Sequence, residues 1–344
     1  MGNVLEAIDT INEASLNGFT NLNLSNSNLT DDDLKVLMPL IVEKLPHLTN
    51  LNLSGNNLTN IPETIGNLHE LNMLWLNDNE LTSLPETIGN INELNYLMLS
   101  NNKLTSLPET IGNLNQLLNI FLNRNELASI PETIGNLSQL QNLYLGDNQL
   151  TNIPDSIGSL NSLLEISFQN NQITSLPETI GNLNNLRRLY AFNNQINSIP
   201  ETIGNLNQLR QLILSGNQPL SSIPETTGNL SQLRELNLTN STDNLDFRSK
   251  VVLESLESNI PNLRVQGLTT ENLTKNHIKD SKESDELSLV FEKLKRLAGH
   301  TKINSYSENS SKKEASPTNK SLIKEDASMN KSNSKKETKR RRSI

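Results

Sequence analysis

The feature that most constrains this chain is a repeat of 23 residues that occupies most of its length. The units follow the pattern LxxLxLxxNxLxxLPxxIGNLxx, and the last of them has 24 residues because Pro219 adds one. Eight units begin in succession at Leu48, Leu71, Leu94, Leu117, Leu140, Leu163, Leu186 and Leu209. The apolar side chains of one unit contribute less free energy on burial than the ordering of the unit costs. The units must therefore stack and share one core, so that stability is a property of the array.

Two kinds of local structure are predicted within each unit. In the unit at 48–70, Leu51 and Leu53 flank a polar residue, and this alternation indicates a short strand with one buried face. Pro62 suits the first position of a short helical turn, where its missing N–H has no partner to lose. We expect Gly66 to end that turn with a positive φ.

An asparagine recurs at the ninth position of each unit, where the chain leaves the strand. A buried amide both donates and accepts hydrogen bonds, so we expect it to satisfy backbone groups of its own turn and of the next one. Stacked units would then carry a continuous asparagine ladder. Its members are Asn56, Asn79, Asn102, Asn125, Asn148, Asn171, Asn194 and Asn217.

This pattern resembles that of leucine-rich repeat proteins over residues 19–268. It is similar to the 23-residue class with a Leu-Pro or Ile-Pro step, which occurs in Ras-pathway scaffold proteins and in bacterial proteins, including effectors. The resemblance implies an α/β repeat solenoid shaped as a horseshoe. Parallel strands would line its concave face, and short 3₁₀ or irregular turns would form its convex face. It also implies protein binding on the concave face.

Four regions are predicted along the chain. They are an N-terminal helical cap at 1–18, a solenoid of about ten repeats at 19–268, a linker with an amphipathic helix at 269–300 and a disordered basic tail at 301–344. The first and last units are longer, with 29 and 30 residues, as terminal capping units are. We expect Val4, Leu5, Ile8 and Ile11 to form the apolar face of the N-terminal helix. A last strand is expected near 263–265.

Charge is distributed unevenly between the array and the tail. Residues 1–270 carry 11 Lys and Arg against 27 Asp and Glu, whereas residues 271–344 carry 18 against 11. A basic cluster near the end comprises Lys339, Arg340, Arg341 and Arg342. Such a cluster is typical of a nuclear-import signal, of a contact with nucleic acid or anionic lipid, or of a solvated tail. No aromatic residue interleaves it, so we expect no specific nucleic-acid binding.

The outward positions of the strands provide the candidate binding surface, and six of the chain's eleven aromatic residues fall there. We expect the partner-binding residues to be Met73, Trp75, Tyr96, Met98, Phe121, Arg124, Tyr144, Arg188, Tyr190 and Phe192. Four of them occupy the fifth position of successive units, and we call Trp75, Met98, Phe121 and Tyr144 the aromatic stripe. With parallel strands ~4.8 Å apart, the stripe would be about 15 Å long. Its composition is typical of a binding hot spot, and the alternative is stabilisation of the sheet by cross-strand contact.

Composition and missing motifs exclude several classes of function. The chain has no cysteine, which excludes disulfides, cysteine-ligated zinc and a cysteine nucleophile. It contains no P-loop, HExxH, GxSxG or kinase signature, and its four histidines are scattered. We therefore expect no enzymatic activity and no cofactor. Neither a signal peptide nor a transmembrane segment is predicted, so the expected location is cytoplasmic.

A monomeric protein-interaction scaffold is the function that these observations favour. The Asn, Ile and Lys richness and the near-identical units resemble bacterial proteins, and the polar tail resembles that of exported effectors. One interpretation is an effector that enters a eukaryotic host cell without a signal peptide, binds a host protein and reaches the nucleus through its basic cluster. A second is a cytosolic scaffold that regulates small-GTPase signalling in its own cell. A third is a contact of the tail with nucleic acid or membrane.

Overall fold

The structure is a computed structural model that describes residues 2–243, 245–260 and 262–267. Within these residues the chain forms a single sheet of 11 parallel strands, ordered β1 to β11 as in the sequence. Each strand has three residues. The strands are β1 Asn21–Asn23, β2 Asn50–Asn52, β3 Met73–Trp75, β4 Tyr96–Met98, β5 Asn119–Phe121, β6 Asn142–Tyr144, β7 Glu165–Ser167, β8 Arg188–Tyr190, β9 Gln211–Ile213, β10 Glu235–Asn237 and β11 Arg264–Gln266. The predicted solenoid of parallel strands is confirmed.

Short 3₁₀ turns occupy the other side of the array, as expected. Among the described residues they are Glu63–Asn67, Glu86–Asn90, Glu109–Asn113, Glu132–Asn136, Asp155–Ser159, Glu178–Asn182, Glu201–Asn205 and Glu225–Asn229. The repeat proline lies one residue before each turn. Pro62, for example, has φ −62° and ψ 147°, an extended conformation, and the turn begins at Glu63. The proline therefore ends the extended connection and does not occupy the first position of the turn.

The core runs through the array between the strands and the 3₁₀ turns. In strands β1 to β10 the middle residue of the strand and the residue two positions later are buried, as Leu97 and Leu99 are. Neighbouring strands pair without a register shift, so that Leu74, Leu97 and Ile120 lie directly opposite one another. Equivalent apolar side chains therefore stack from unit to unit into one continuous core.

The asparagine ladder is buried, but its direction differs from the expectation. Asn79 donates from Nδ2 to the carbonyl of Leu76 in its own repeat at 3.1 Å and to that of Leu53 at 3.0 Å. Its Oδ1 accepts from the N–H of Leu58 at 3.2 Å. Leu53 and Leu58 belong to the preceding repeat, so the ladder ties each unit backwards. The carbonyl of Leu53 also accepts from Nδ2 of Asn56 at 2.9 Å, so the amides of two successive repeats share it.

The predicted positive φ at Gly66 is wrong. No left-handed conformation occurs at this residue. A Cβ there would lie 2.5 Å from the carbonyl oxygen of Thr87 and 2.6 Å from the Thr87 Cβ, because the next 3₁₀ turn packs directly on it. Glycine is required for close stacking of the turns and not for backbone conformation. Positive φ angles occur instead at the eighth position of the repeats, as at Asp78 with φ 57°.

Helices cover both ends of the sheet. They are α1 Gly2–Leu16, α2 Asp31–Lys44 and α3 Phe247–Asn259. Thr30 and Asp33 form a reciprocal capping box at the start of α2. In α1 the buried side chains include Ala7, Ile11 and Ala14, whereas Leu5 is 62% exposed. The expected apolar face was therefore misplaced at Leu5, because the face that contacts α2 follows the small alanines.

The C-terminal unit is 29 residues long and not 30, since Leu236 of β10 pairs with Val265 of β11. This length equals that of the first unit, in which Leu22 pairs with Leu51. The predicted amphipathic helix at 285–300, the tail at 301–344 and its basic cluster at 339–342 lie outside the described residues.

Candidate functional site

The aromatic stripe consists of the last residues of strands β3 to β6. Trp75 pairs in register with Met98, Met98 with Phe121, and Phe121 with Tyr144. All four side chains are half-buried by their neighbours. The Phe121 and Tyr144 rings stack, with centroids 4.9 Å apart and planes inclined by 16°. The predicted stripe is thus one continuous surface, and cross-strand stacking contributes to it.

Met73 and Tyr96 widen this surface at its N-terminal end. They lie at the starts of β3 and β4, are paired in register and are half-buried. In the next two strands the same column is polar, and Asn142 donates from Nδ2 to Oδ1 of Asn119 at 2.6 Å. The apolar surface is therefore two residues wide over β3 and β4 and one residue wide over β5 and β6.

Ser167 separates the aromatic stripe from the last two predicted residues, Tyr190 and Phe192. It takes the fifth position of its repeat, at the end of β7, and is buried; its hydroxyl donates to Oε1 of Gln169. Beyond it, the Tyr190 hydroxyl donates to Oε1 of Gln211 at 2.8 Å. The ten predicted residues therefore do not form a single patch. The stripe with Met73 and Tyr96 is one group, and Tyr190 with Phe192 is a second.

A charged chain of contacts joins the stripe to the C-terminal repeats. Arg188 Nη1 lies 2.7 Å from Oε2 of Glu165, and the Glu165 side chain is only 14% exposed. Burial and the negative charge of Glu165 raise the pKa of the Tyr144 hydroxyl. The hydrogen bond to Glu165 likewise raises the pKa of Arg188. Glu165 thus accepts a hydrogen bond from Arg188, and its negative charge acts on the hydroxyl of Tyr144.

Arg124 is unusual for its backbone. Its φ is 57°, at the repeat position that is left-handed throughout the array. The equivalent residues are Gly55, Asp78, Asn101, Asp147, Asn170, Asn193 and Gly216, all of types that tolerate this conformation. Arginine does not, and the exposed Arg124 side chain forms no hydrogen bond or ion pair with any described residue. Sequence reasoning selected Arg124 for its charge and overlooked this conformational cost.

A basic pocket of about 380 Å³ lies at the starts of strands β8 to β11. The residues that line it are Arg188, Arg210, Gln211, Arg234, Glu235, Asn262 and Arg264. Sequence reasoning found only Arg188 and missed the other arginines. The signal was available, since the second position of three successive units is Arg187, Arg210 and Arg234.

Comparisons with known proteins agree with this architecture. A family model described as a leucine-rich repeat region matches residues 86–171 and 166–333, and a second, described as a leucine rich repeat, matches residues 46–104. Together these matches cover more than half of the chain. The chain belongs to the leucine-rich repeat proteins. Its assignment to the 23-residue class stays a prediction.

Solved structures with the leucine-rich repeat fold are similar to it. A leucine-rich repeat protein of Leptospira interrogans has a TM-score of 0.58 and 25% identity, over 82% of this chain and 97% of that one. A chain from the octameric complex of Latrophilin 3, Unc5D and FLRT2, where FLRT2 supplies the leucine-rich repeats, has a TM-score of 0.59 and 27% identity, over 74% and 85%. The Arabidopsis receptor kinase HAESA structure, with the peptide hormone IDA and co-receptor SERK1, has a TM-score of 0.53 and 31% identity, over 62% and 40%. No curated protein matches significantly.

This leucine-rich repeat array supports a role in protein–protein interaction, the usual role of a fold that is typically not enzymatic. Among the described residues, no three His, Asp or Glu side chains approach closely enough to hold a metal ion. No helix in the described ranges is long and apolar enough to cross a membrane.

Proposed function

We propose that this protein is an interaction scaffold that binds a protein partner through the aromatic stripe. The supporting observation is the continuous surface of half-buried Trp75, Met98, Phe121 and Tyr144 on consecutive strands. Aromatic residues make up only 3% of the chain, so their concentration on one column is not a consequence of composition. Tryptophan and tyrosine are the residues most enriched in binding hot spots.

The fold itself does not require aromatic residues in this column. Asn52 of β2 and Ser167 of β7 occupy the same position, and their strands pair in the same register as the others. Stacking contributes to the stability of the sheet at Phe121 and Tyr144. That contribution is about 1 kcal/mol per pair, too small to account for four large apolar side chains at the surface.

Polar neighbours give the stripe the border expected of an interface. Asp78 and Arg124 lie three residues after the ends of their strands and are exposed, and Asp147 is half-buried at the same position. An apolar centre within a charged border excludes water from the contact and leaves specificity to the border.

The test compares the intact protein with the Trp75→Ala/Phe121→Ala/Tyr144→Ala variant in affinity capture from eukaryotic and bacterial lysates. The captured protein is then purified and its dissociation constant measured for both. We expect at least a tenfold loss of affinity, while the far-ultraviolet circular dichroism of the array is retained. Ile213→Ala is the matched control, since Ile213 occupies the same column beyond Ser167. An unchanged dissociation constant, or equal losses in variant and control, would refute the proposal.

For the biological setting, we propose a bacterial effector whose partner is a host protein, with the basic cluster at 339–342 as a nuclear-import signal. The Asn, Ile and Lys richness of the sequence and the excess of basic residues after residue 270 support this interpretation. A reporter fused ahead of residues 271–344 should reach the host cytosol during infection. Retention in the bacterium, or capture of a bacterial partner only, would favour a scaffold in its own cell.

A further inference from the structure

The basic pocket departs from the charge of the array around it. Residues 1–270 contain 27 acidic side chains and only seven arginines. Five of these arginines lie at or next to the starts of strands β8 to β11. They are Arg187, Arg188, Arg210, Arg234 and Arg264. Gathering like charges at one site opposes folding by their mutual repulsion, so the arrangement needs a compensating role.

Most of these guanidinium groups have no anionic partner among the residues that the structure describes. Arg188 is paired with Glu165. Across residues 2–243, 245–260 and 262–267, Arg210, Arg234 and Arg264 form no ion pair. Glu235 lies in the same pocket, where its Oε2 accepts from Nε2 of Gln211 at 2.8 Å. Two carboxylates, Glu235 and Glu165, against four arginines leave the pocket positive.

We propose that this pocket binds an acidic segment of a protein partner, with carboxylates at alternate residues of an extended stretch. The pocket spans four strands, which corresponds to about 14 Å at ~4.8 Å per strand. Side chains on one side of an extended chain recur about every 6.6 Å, so three alternate carboxylates span the pocket. Arginine forks match carboxylates with two parallel hydrogen bonds each. The volume of about 380 Å³ holds several such side chains and is large for a single small anion.

Continuity with the aromatic stripe indicates the same partner for both surfaces, so this inference rests on the proposed function. Glu165 lies between Tyr144 of the stripe and Arg188 of the pocket. A second line of hydrogen bonds runs from the Tyr190 hydroxyl to Gln211 and from Gln211 to Glu235. A partner that places apolar side chains on the stripe is therefore positioned to extend its acidic residues into the pocket.

The experiment measures binding of a fluorescein-labelled eight-residue peptide with Glu at alternate positions to the full chain, by anisotropy. A peptide with Gln in place of Glu is the probe control. We expect Arg210→Glu/Arg234→Glu to weaken binding of the Glu peptide at least tenfold, and Arg234→Gln to weaken it severalfold if the double variant fails to fold. Lys103→Glu is the control variant, because it reverses a positive charge outside the pocket. Lys103 pairs with Glu80, and its replacement should leave binding of the peptide unchanged. Binding should weaken as salt is raised.

Equal binding of the Glu and Gln peptides, or an equal loss with Lys103→Glu, would overturn the inference. Inorganic phosphate is the competing probe. If phosphate binds with micromolar affinity and displaces the Glu peptide completely, the pocket is a small-anion site, and the inference is also overturned. The stripe is tested separately, because Trp75→Ala should leave binding of this non-aromatic peptide unchanged. If the pocket does not bind the Glu peptide but the stripe variant still loses partner affinity, this inference fails and the proposed function stands. The opposite pair of results means that the proposed function fails and the pocket is still a binding site.

Discussion

The rings of Phe121 and Tyr144 stack across strands β5 and β6 with their centroids 4.9 Å apart. This pair belongs both to the sheet and to the proposed interface, so stability and affinity must be measured together. Tyr144→Ala should lower the free energy of unfolding by about 1 kcal/mol while reducing partner affinity at least tenfold. Tyr144→Phe retains the stack and loses only the hydrogen bond of the hydroxyl with Glu165, so its cost should be smaller than that of Tyr144→Ala. A double-mutant cycle of Phe121→Ala and Tyr144→Ala, followed by urea unfolding, measures the coupling. Coupling near zero would show that the stacked rings do not stabilise the sheet.

The asparagine ladder should dominate the stability of individual repeats. Asn125 donates to the carbonyls of Leu99 and Leu122 at 3.0 Å, and its Oδ1 accepts from the N–H of Leu104 at 3.0 Å. Asn125→Ala leaves the buried N–H of Leu104 without a partner and should cost about 1–3 kcal/mol. The carbonyls of Leu99 and Leu122 each lose one of two donors, since they also accept from Asn102 and Asn148. The exposed Asn113 of the neighbouring convex turn is the matched control, and Asn113→Ala should cost under ~0.5 kcal/mol. Equal losses in urea unfolding would contradict the ladder.

Replacement of Arg124 should raise the free energy of unfolding and weaken partner binding. Its left-handed φ of 57° suits Asn better than Arg, so Arg124→Asn should raise the free energy of unfolding by about 0.5–1 kcal/mol. The same change removes a charge at the border of the stripe and should weaken partner binding. The reverse substitution Asn101→Arg, at the equivalent position with φ 58°, should destabilise by a similar amount. If Arg124→Asn destabilises the protein in thermal unfolding, the conformational argument is wrong.

The junction of α2 with the first regular repeat should depend on pH. The Asp31 carboxylate accepts hydrogen bonds from the N–H and the hydroxyl of Thr59 at 2.8 and 2.5 Å, and from the N–H of Asn60 at 3.1 Å. Burial acts to raise the pKa of Asp31, but these hydrogen bonds outweigh it and lower the pKa below its ordinary value. The stabilisation is therefore present above the ordinary carboxyl pKa of about 4 and is lost as the pH falls through the lower folded-state pKa.

The measurement is the free energy of unfolding between pH 2 and 6 for the intact protein and for Asp31→Asn. The variant should lose about 1 kcal/mol at pH 6, allowing for partial exposure, and the difference should shrink as the pH falls below about 4. Asp32→Asn is the control, since Asp32 is 90% exposed and contacts only surface Lys35. A difference that stays constant down to pH 2 would contradict the assigned hydrogen bonds.

The position of the aromatic stripe could be predicted from the sequence, because the 23-residue period places equivalent residues opposite one another in every strand pair. Its end after Tyr144 could be predicted as well, because a serine follows in the same column. The burial of Ser167 could not, since it depends on the neighbouring strands. The alternate pattern of Leu97 and Leu99 likewise predicted the strand and the core directly, since both depend on residues within one unit.

Relationships between units were decided by the tertiary structure. Gly66 was recognised in the sequence as special, but the reason is the approach of Thr87 from the next turn, a distance that no local pattern encodes. The sequence likewise predicted the ladder of asparagines but not that Asn79 binds the preceding repeat. The convergence of Arg210, Arg234 and Arg264 on one pocket depends on the in-register pairing of strands β9 to β11. Periodicity along the chain thus determined the repeat, its strands and its core, whereas the packing of one unit on the next decided which groups contact each other.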